Sequence, residues 1–303
     1  MAIATKPGVS VIINEQSGGA PGQDTGVQIQ DLFTAAGVQV RLERVRHGGD
    51  VAARARQAAT RGDTLVAAGG DGTVGAVAGV AVERQALLGV IPTGTLNHFA
   101  RDVGIPKDLA QAVQTILAGR EQRVDVGEVN GRIFVNNSSI GIYPRMVWER
   151  EKELRNGRRK KTAFAIAMLR TWRTYRTLKC RMLIDATPHD VRTPFIFVGN
   201  NEYIAEGFSL GSRTRVDAER LSVFVAPDVG RFEILALPFK AMAGRLETAA
   251  HFANFTAAEV TVELRRPRVS VATDGEVTIM RTPLLFSIRG CALRVLVPAA
   301  SET

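Results

Sequence analysis

Two glycine-rich turns in the N-terminal third of the chain have residue types that bring backbone amides close to a phosphate. The first turn follows the apolar run at residues 64–68 and precedes apolar residues at the spacing of one helical face. It consists of Gly69, Gly70, Asp71, Gly72 and Thr73. Glycine has no Cβ to keep an anion away from the backbone, and a helix N-terminus offers N–H groups and a favourable dipole. The pattern therefore predicts an anion site at this turn.

The second turn follows the apolar run at residues 87–91 and contains Gly94, Thr95 and Asn97. We expect Gly94 and Thr95 to form the other wall of a cleft. Asn97 is expected to cap the following helix while it binds a ribose or phosphate oxygen, and capping alone would also explain an asparagine here. Two such turns could frame one nucleotide.

Phosphoryl transfer requires a cradle for the phosphates, Mg²⁺ near them and a carboxylate that accepts the proton of the attacking hydroxyl. Asp71 lies inside the first turn, where its carboxylate would repel phosphate unless Mg²⁺ lies between the two. The alternative is an ordinary turn that Asp71 caps. Late in the chain, Asp274 and Glu276 flank Gly275 between two β-prone runs, and an ordinary hairpin turn would explain this pattern equally well.

Composition restricts the class of protein. The chain has 303 residues, enough for two domains, and its 45% hydrophobic and 23% charged residues are typical of soluble globular proteins. No apolar run approaches the roughly 20 residues that span a bilayer, and the N-terminus lacks the apolar core of a signal peptide, so we expect a cytoplasmic protein. Cys180 and Cys291 are far apart and form no C-x-x-C pair, which indicates two reduced, buried thiols.

Positive charge is concentrated in residues 145–181, which hold 13 Lys or Arg against three Glu, whereas the whole chain has a net charge of +9. Phe164, Met168, Trp172 and Tyr175 recur in this segment at close to helical spacing. A basic helix with aromatic residues is typical of contact with an anionic membrane surface. The alternative is a helix whose aromatic residues pack on its own domain. No nucleic-acid-binding module is recognised, so we expect no nucleic-acid partner.

Strand-like and helical segments alternate up to about residue 119. This order predicts a parallel sheet covered by helices, with ligands at the carboxyl ends of the strands, where both glycine turns fall. Asp50 is expected to cap the helix that continues to about residue 59. We expect this α/β domain to occupy residues 1–122.

Beyond residue 119, short β-prone runs follow one another between turn residues, the last two at residues 284–288 and 293–297. Such a series predicts an antiparallel β-sandwich, which we expect to occupy residues 123–303. Two helical insertions are expected to interrupt the sandwich, at residues 145–176 and 232–255.

The order of these motifs resembles that of a known family. G-G-D-G-T at residues 69–73, followed by P-T-G-T-L-N-H-F-A-R at residues 92–101, is similar to the catalytic domain of the diacylglycerol kinase and sphingosine kinase superfamily of lipid kinases. NAD kinases and phosphofructokinases share the first motif, and the second motif separates them from this superfamily. N-E-Q-S-G at residues 14–18 resembles the family's N-P-x-S-G, and D-G-E at residues 274–276 resembles its late motif.

The resemblance implies a Rossmann-like N-terminal domain of the NAD kinase and phosphofructokinase type, in a kinase that transfers the γ-phosphate of ATP to a lipid hydroxyl with Mg²⁺. The implied nucleotide-binding residues are Asn14, Ser17, Gly18, Gly69, Gly70, Asp71, Gly72, Thr73, Gly94, Thr95 and Asn97. Asp274 and Glu276 become candidates for the base, with Asp71 as a third candidate and as the expected metal ligand. By the same resemblance, Glu219 would bind a structural Mg²⁺, although Arg220 beside it would oppose a cation.

Three positions depart from the family pattern: Glu15 replaces a proline, Gly75 with Ala76 replaces Asn-Glu, and His98 replaces an aspartate. These departures keep two other functions open, an NAD kinase-like nucleotide kinase and a non-catalytic lipid- or nucleotide-binding protein. The acceptor stays open among diacylglycerol-like, phosphatidylglycerol-like and sphingoid lipids. We expect a protein of phospholipid metabolism that contacts the inner membrane surface through residues 145–181, and a homodimer is one alternative for its assembly.

Overall fold

The computed structural model of the chain describes residues 8–15, 24–46, 50–174, 177–206, 209–213, 215–228 and 253–299. The chain divides into two compact units. Unit 1 consists of Met1–Val126 and Gly290–Thr303, and unit 2 consists of Gly127–Arg289. Within the described ranges, no helix is long and apolar enough to cross a membrane.

The elements are numbered in chain order. The helices are α1 (Thr25–Ala35), α2 (Val51–Thr60), α3 (Asp71–Arg84), α4 (His98–Asp102), α5 (Leu109–Ala118), α6 (Ile142–Arg155) and α7 (Lys160–Arg173). The strands are β1 (Val9–Asn14), β2 (Val40–Val45), β3 (Thr64–Gly69), β4 (Leu87–Pro92), β5 (Arg120–Val129), β6 (Arg132–Phe134), β7 (Asn137–Gly141), β8 (Leu178–Ile184), β9 (Thr187–Thr193), β10 (Phe195–Asn200), β11 (Tyr203–Glu206), β12 (Ser209–Arg213), β13 (Leu221–Val225), β14 (Ala253–Ala257), β15 (Glu259–Leu264), β16 (Arg268–Thr273), β17 (Glu276–Arg281) and β18 (Leu284–Val297).

The core of unit 1 is a parallel sheet with the strand order β2, β1, β3, β4. The C-terminal part of β18 joins β4 in parallel, with Arg294 opposite Leu87. All six residues of β3 and the last five of β4 are buried. Continuous rather than alternating burial is typical of parallel strands covered on both faces. The predicted α/β architecture with a parallel sheet is confirmed.

The helices of unit 1 bury apolar faces and differ in how they begin. The buried residues of α3 include the predicted face, Val74, Val77, Ala78 and Ala81. α5 begins after Asp108, whose Oδ1 accepts a hydrogen bond from the N–H of Gln111 at 2.9 Å. Asp50 is the N-cap residue of α2, as predicted, but its side chain makes no capping hydrogen bond. Asp50 already has helical backbone angles, whereas a capping residue is normally extended.

Unit 2 contains two antiparallel layers of strands. The first has the order β14, β13, β10, β7, β16, β17, and the second consists of β9, β8, β15 and residues 284–287 of β18. Both layers contribute to one apolar core, with Ile140 and Val223 from the first layer and Met182 and Phe286 from the second. The predicted antiparallel β-sandwich is confirmed.

The last two predicted strands are one continuous strand. β18 runs through both of the predicted runs, 284–288 and 293–297. Between them Cys291 has a positive φ of 51°, and its N–H donates to Oδ1 of Asp125 at 2.8 Å. The side chain of Asp125 thus binds the strand at the point where the sequence suggested a break. Cys291 is exposed, so the prediction of two buried thiols is wrong for this residue. The prediction also missed β9, β11, β12 and β14, whose polar residues obscure the strand pattern.

The first predicted helical insertion, 145–176, corresponds to α6 and α7. Of the second, 232–255, residues 232–252 lie outside the described residues, and residues 253–255 belong to β14 rather than to a helix. The domain division at residue 122 stays a prediction. The compact units place Gly290–Thr303 in unit 1, since this part of β18 pairs with β4.

Candidate active site

The first glycine turn joins β3 to α3 at the carboxyl end of the parallel sheet. β3 ends at Gly69, and Gly70 is the N-cap residue of α3, with extended backbone angles of φ −88° and ψ −174°. Asp71 is the first residue of the helix, where a negative charge is favourable. Because Gly70 has no side chain to cap α3, the N-terminus of this 14-residue helix has the form of an anion site.

Close backbone packing requires glycine in both turns. A Cβ on Gly69 would lie 2.5 Å from Oγ1 of Thr73, and a Cβ on Gly94 would lie 2.4 Å from Cα of Gly70. The N–H of Thr93 donates to the carbonyl oxygen of Gly69 at 3.1 Å. The two turns are therefore in direct backbone contact.

Asn97 closes the second turn on itself. Its Oδ1 accepts a hydrogen bond from the N–H of Gly94 at 3.1 Å, and its Nδ2 donates to the carbonyl oxygen of Gly94 at 2.8 Å. Asn97 is buried in the left-handed region, at φ 52° and ψ 48°, and its side chain does not cap α4. The predicted capping role of Asn97 is therefore wrong, because its amide is turned back to Gly94.

The hydrogen bond at the start of α4 comes from the first turn instead. Oδ1 of Asp71 accepts a hydrogen bond from the N–H of Phe99 at 3.3 Å, across 28 residues of sequence. Phe99 is the second residue of α4 and is buried. From the sequence, Asp71 was expected to bind a metal ion, to be a third candidate for the base or to cap its own turn, and a bond to Phe99 was not predicted. The carboxylate of Asp71 in the first turn thus binds α4, the helix that follows the second turn.

The remaining nucleotide-binding candidates lie along the same edge of the sheet or outside the described residues. Asn14 ends β1, the neighbour of β3, and its Nδ2 donates to Oγ1 of Thr73 at 3.5 Å. Gly72 is the second residue of α3, and Thr95 is exposed in the second turn. Ser17 and Gly18 lie outside the described residues.

Thr93 is a candidate that sequence analysis missed. Its Oγ1 is buried, and no hydrogen-bond partner for it exists among the residues that the structure describes. Buried hydroxyls are normally hydrogen-bonded, and this one lies next to Gly94 of the second turn, so it is a candidate for contact with a bound molecule. The place of Thr93 in the sequence, between β4 and Gly94, was the feature that could have indicated this role.

Asp274 and Gly275 form the two-residue turn between β16 and β17 in unit 2. Both have a positive φ, 47° and 86°, and Thr273 pairs with Glu276 across the turn. Two consecutive positive φ angles are typical of the tight hairpin turns that Asp-Gly favours. The hairpin that the sequence indicated is confirmed.

The carboxylate of Asp274 is buried and binds a neighbouring backbone segment. Oδ2 accepts the N–H of Val135 at 2.8 Å, and Oδ1 accepts the N–H groups of Asn136 at 2.8 Å and Asn137 at 3.2 Å. The N–H of Asp274 donates to the carbonyl oxygen of Asn137 at 2.9 Å. Asp274 therefore fixes residues 135–137 to the hairpin.

A buried polar network holds the carbonyl groups of the same segment. Nη1 of Arg213 donates to the carbonyl oxygen of Val135 at 2.6 Å, and Nδ2 of Asn200 donates to the same oxygen at 2.9 Å. The hydroxyl of Tyr203 donates to the carbonyl oxygen of Asn136 at 2.9 Å. Sequence analysis missed this network, since these residues belong to no motif and lie far apart in the chain.

Glu276 remains partly accessible, in contrast to Asp274. Its side chain is 40% exposed, and its Oε2 lies 2.7 Å from Nη2 of Arg132. Glu151 of α6 interacts electrostatically with Glu276. Burial raises the pKa of Glu151 above its ordinary value, Arg155 and Arg150 oppose this effect, and the negative charge of Glu276 adds to it.

Glu219, the candidate ligand of a structural metal, is exposed and has a φ of 54°. The N–H of the preceding Ala218 donates to Oδ1 of Asn201 at 2.8 Å. In the described part of the chain, no group of three or more His, Cys, Asp or Glu side chains could hold a metal ion. A metal at Glu219 would therefore depend on backbone carbonyls and water.

Two of the departures from the family pattern have protein contacts. Glu15 forms ion pairs with Arg44 at 3.3 Å and with Arg46 at 3.4 Å. Nδ1 of His98 lies 3.1 Å from Nη2 of Arg101. Because an arginine only donates, Nδ1 is the acceptor, and a neutral His98 carries its proton on Nε2.

The basic segment forms a helical hairpin of α6 and α7 whose acidic residues face inward. Glu149 and Glu153 are buried. Arg170 pairs with Glu149 at 3.2 Å and also with Glu153, which pairs with Arg158 at 2.7 Å. Since these pairs neutralise two of the three glutamates, the outer surface of the hairpin is dominated by Lys and Arg.

The same hairpin exposes large apolar side chains. The exposed fractions are 38% for Tyr143, 47% for Trp148, 42% for Phe164 and 52% for Leu169. The buried face of α7 consists of Ala163, Ala167 and Thr171, and the predicted stripe residues Met168 and Trp172 are half-buried. Tyr175 lies outside the described residues. The predicted stripe is therefore partly exposed at Phe164 and partly packed at Met168 and Trp172, and contact with a membrane stays a prediction.

Two family models together cover most of the chain. Residues 8–129 match the diacylglycerol kinase catalytic domain, and residues 145–297 match the YegS C-terminal NAD kinase beta sandwich-like domain. The chain belongs to the diacylglycerol kinase-like lipid kinase family. The resemblance that the motifs indicated is confirmed.

Curated relatives from the diacylglycerol kinase-like family match part of the chain. It is 35% identical to the diacylglycerol kinase of Bacillus subtilis (strain 168) over 149 residues, 48% of this chain and 49% of the relative. It is 41% identical to the "Probable lipid kinase YegS-like" of Klebsiella pneumoniae (strain 342) over 96 residues, 31% of this chain and 32% of the relative. The chain thus spans about a third to a half of the length of these relatives.

Solved structures share the fold of this family member. A crystal structure of a diacylglycerol kinase from Bacillus anthracis str. Sterne has a TM-score of 0.72 to this chain and is 23% identical. The match covers 97% of each chain. The similarity therefore extends over both the α/β unit and the sandwich unit.

Proposed function

We propose that the protein is a lipid kinase that transfers the γ-phosphate of ATP to a hydroxyl group of a membrane lipid. The observation that carries the proposal is the pair of joined turns at the carboxyl end of the parallel sheet, where Gly94 packs on Gly70 beside the N-terminus of α3. Backbone contact of this kind leaves room for phosphate and excludes side chains. Membership of a lipid kinase family supports the reaction class.

The residues present fit ATP and Mg²⁺. The backbone of Gly69, Gly70 and Gly72 would hold phosphate oxygens, and Thr93 has a buried hydroxyl that a bound molecule could satisfy. Asp71 would bind Mg²⁺, because carboxylate oxygens are the ligands that this ion prefers. Mg²⁺, when bound, supplies positive charge that offsets the phosphates during transfer.

We assign the role of proton acceptor to Glu276 rather than Asp274. The oxygens of Asp274 already accept three backbone N–H groups, so its geometry suits a structural task. Glu276 is accessible, and Arg132 orients its carboxylate from one side. A base must reach the proton that it abstracts, and this favours the accessible carboxylate.

Phosphate transfer to lipids tests the function directly. Labelled ATP with Mg²⁺ is offered diacylglycerol, phosphatidylglycerol and a sphingoid base in mixed micelles, and NAD in parallel. We expect one labelled lipid, no labelled product with Asp71→Asn, and wild-type rates with the surface control Lys107→Gln. Labelled NADP would assign the protein to the nucleotide kinases, and ATP binding with no transfer would indicate a binding protein. Either result would overturn the lipid kinase.

The proposal includes peripheral contact with an anionic membrane through the α6–α7 hairpin. Its glutamates Glu149 and Glu153 are neutralised inside the hairpin, while Trp148, Phe164 and Leu169 are exposed among basic residues. Apolar side chains beside Lys and Arg suit the interface of an anionic bilayer, where each basic residue contributes about 1 kcal/mol.

Vesicle binding tests this contact. We expect the protein to sediment with vesicles that contain phosphatidylglycerol and to dissociate as the salt concentration rises. Lys161→Glu and Phe164→Ser should each weaken binding by about fivefold or more, since each removes roughly 1 kcal/mol of interaction. Lys107→Glu changes the same charge on an exposed residue of unit 1 and is the matched control. Equal binding by Lys161→Glu and Lys107→Glu would contradict this surface.

A further inference from the structure

The helix α4 depends on an acceptor from outside its own sequence. It contains five residues, His98–Asp102, and so short a helix is not stable by itself. Its first N–H groups need acceptors that the helix cannot supply. The neighbouring Asn97 provides none, because its side chain is bonded to Gly94. Oδ1 of Asp71 accepts the N–H of Phe99 and fills this role.

This hydrogen bond attaches the first turn to residues that follow Gly94 in the chain, whereas the bond of Thr93 attaches it to a residue that precedes Gly94. On one side, the N–H of Thr93 donates to Gly69. On the other side, the carboxylate of Asp71 holds Phe99, whose buried ring fixes α4 in the core of unit 1. Gly94 and Thr95 lie between these two attachments. The carboxylate of Asp71 and the backbone bond between Thr93 and Gly69 therefore set their position relative to the first turn.

We propose that Asp71 is a positioning residue for the second turn, in addition to its expected role as a metal ligand. The carboxylate caps α4 and thereby holds Gly94 and Thr95 at the distance from Gly70 that a nucleotide requires. This inference rests on the proposed nucleotide site, but it predicts an effect that needs no metal. The two roles of Asp71 can therefore be separated by experiment.

ATP binding measured without Mg²⁺ separates the positioning role of Asp71 from its role as a metal ligand. Asparagine keeps an oxygen that can accept the N–H of Phe99 but loses the charge, whereas alanine loses both. We expect Asp71→Ala to bind ATP five- to tenfold more weakly than Asp71→Asn in EDTA, measured by equilibrium dialysis. A residue that acts only through Mg²⁺ would give two variants of equal affinity, and that result would overturn the proposal.

Hydrogen exchange gives a second readout that does not depend on ATP. The amide of Phe99 should exchange as slowly in Asp71→Asn as in the wild type and at least fivefold faster in Asp71→Ala. Unchanged exchange in Asp71→Ala would also overturn the proposal. If the wild type binds no ATP, with or without Mg²⁺, the proposed function fails, and exchange at Phe99 still decides whether Asp71 holds α4.

Asp108→Ala is the matched control for loss of a cap. Asp108 caps α5 through one hydrogen bond of 2.9 Å to the N–H of Gln111, in the same unit and outside both turns. This variant should lose comparable stability while its ATP affinity in EDTA stays within twofold of the wild type. An equal loss of affinity in Asp108→Ala and Asp71→Ala would show that general destabilisation explains the result, and would contradict positioning.

Discussion

Replacing Gly94 with alanine tests the backbone contact between the two turns. The new Cβ would lie 2.4 Å from Cα of Gly70, 3.1 Å from N of Gly70 and 2.8 Å from Oδ1 of Asn97. Favourable contacts between carbon atoms lie at about 3.5–4.0 Å, so the turns would have to separate by roughly 1 Å. Two of the three contacted atoms belong to the backbone and cannot rotate away.

The expected cost of Gly94→Ala has two parts. Overpacking of a tight contact costs about 1–3 kcal/mol of unfolding free energy. A displacement of about 1 Å in a group that positions a substrate costs about 100-fold in rate. We therefore expect a moderately less stable protein whose phosphate transfer falls far more than its stability would suggest. Urea unfolding and the transfer assay with labelled ATP measure the two parts separately.

Gly37→Ala is the control for backbone effects alone. Gly37 follows α1 with a φ of 73°, and a Cβ there would meet nothing within 4 Å. Alanine in this left-handed conformation costs about 1–2 kcal/mol without touching either turn. Its transfer rate should stay close to that of the wild type. Wild-type transfer by Gly94→Ala as well would contradict this expectation, since the turns would then tolerate separation.

Three further predictions concern single groups. Asp274→Ala should lower the free energy of unfolding by about 3 kcal/mol or more in urea titrations, because three backbone N–H groups lose a charged acceptor; a loss below about 1 kcal/mol would contradict this. Burial acts to raise the pKa of Asp63, but hydrogen bonds from Ser10 and Arg61 outweigh it and hold the pKa below its ordinary value. The stability that the Asp63 carboxylate contributes, about 2 kcal/mol, should therefore be present above about pH 4 and be lost as the pH falls through the lower pKa of the folded state. If the difference in unfolding free energy between the wild type and Asp63→Asn did not change with pH, this expectation would be contradicted. Burial raises the pKa of Cys180 to about 11, so iodoacetamide at pH 8 should label the exposed Cys291 and leave Cys180 unmodified, as peptide mass spectrometry would show.

Local patterns were sufficient for the elements that carry the candidate site. The apolar run before Gly69 and the helical spacing after Thr73 predicted β3 and α3, because burial on one face and turn chemistry are local properties. The Asp-Gly pair at residue 274 predicted its hairpin for the same reason. The sequence alone also indicated the family, since both glycine motifs and their spacing can be recognised without a structure.

The local sequence pattern could not predict which groups the polar side chains bind. Asparagine before a helix suggested a cap at Asn97, whereas its left-handed backbone turns the amide to Gly94. Asp50 is the N-cap residue of α2 as predicted, but it has helical backbone angles and its side chain makes no capping hydrogen bond. In both cases the residue type was compatible with the role, and the backbone conformation decided against it.

Residues within about ten positions of one another were enough to predict the alternation of strands and helices before residue 119, the two glycine turns and the change to short β-prone runs beyond them. Only the tertiary structure decided that Asp71 bonds Phe99 across 28 residues and that Asp274 bonds Val135 across 139 residues. It also decided that the C-terminal part of β18 pairs with β4 in unit 1. Such pairs depend on which strands become neighbours in the sheets, and strand pairing is fixed by the packing of the whole chain.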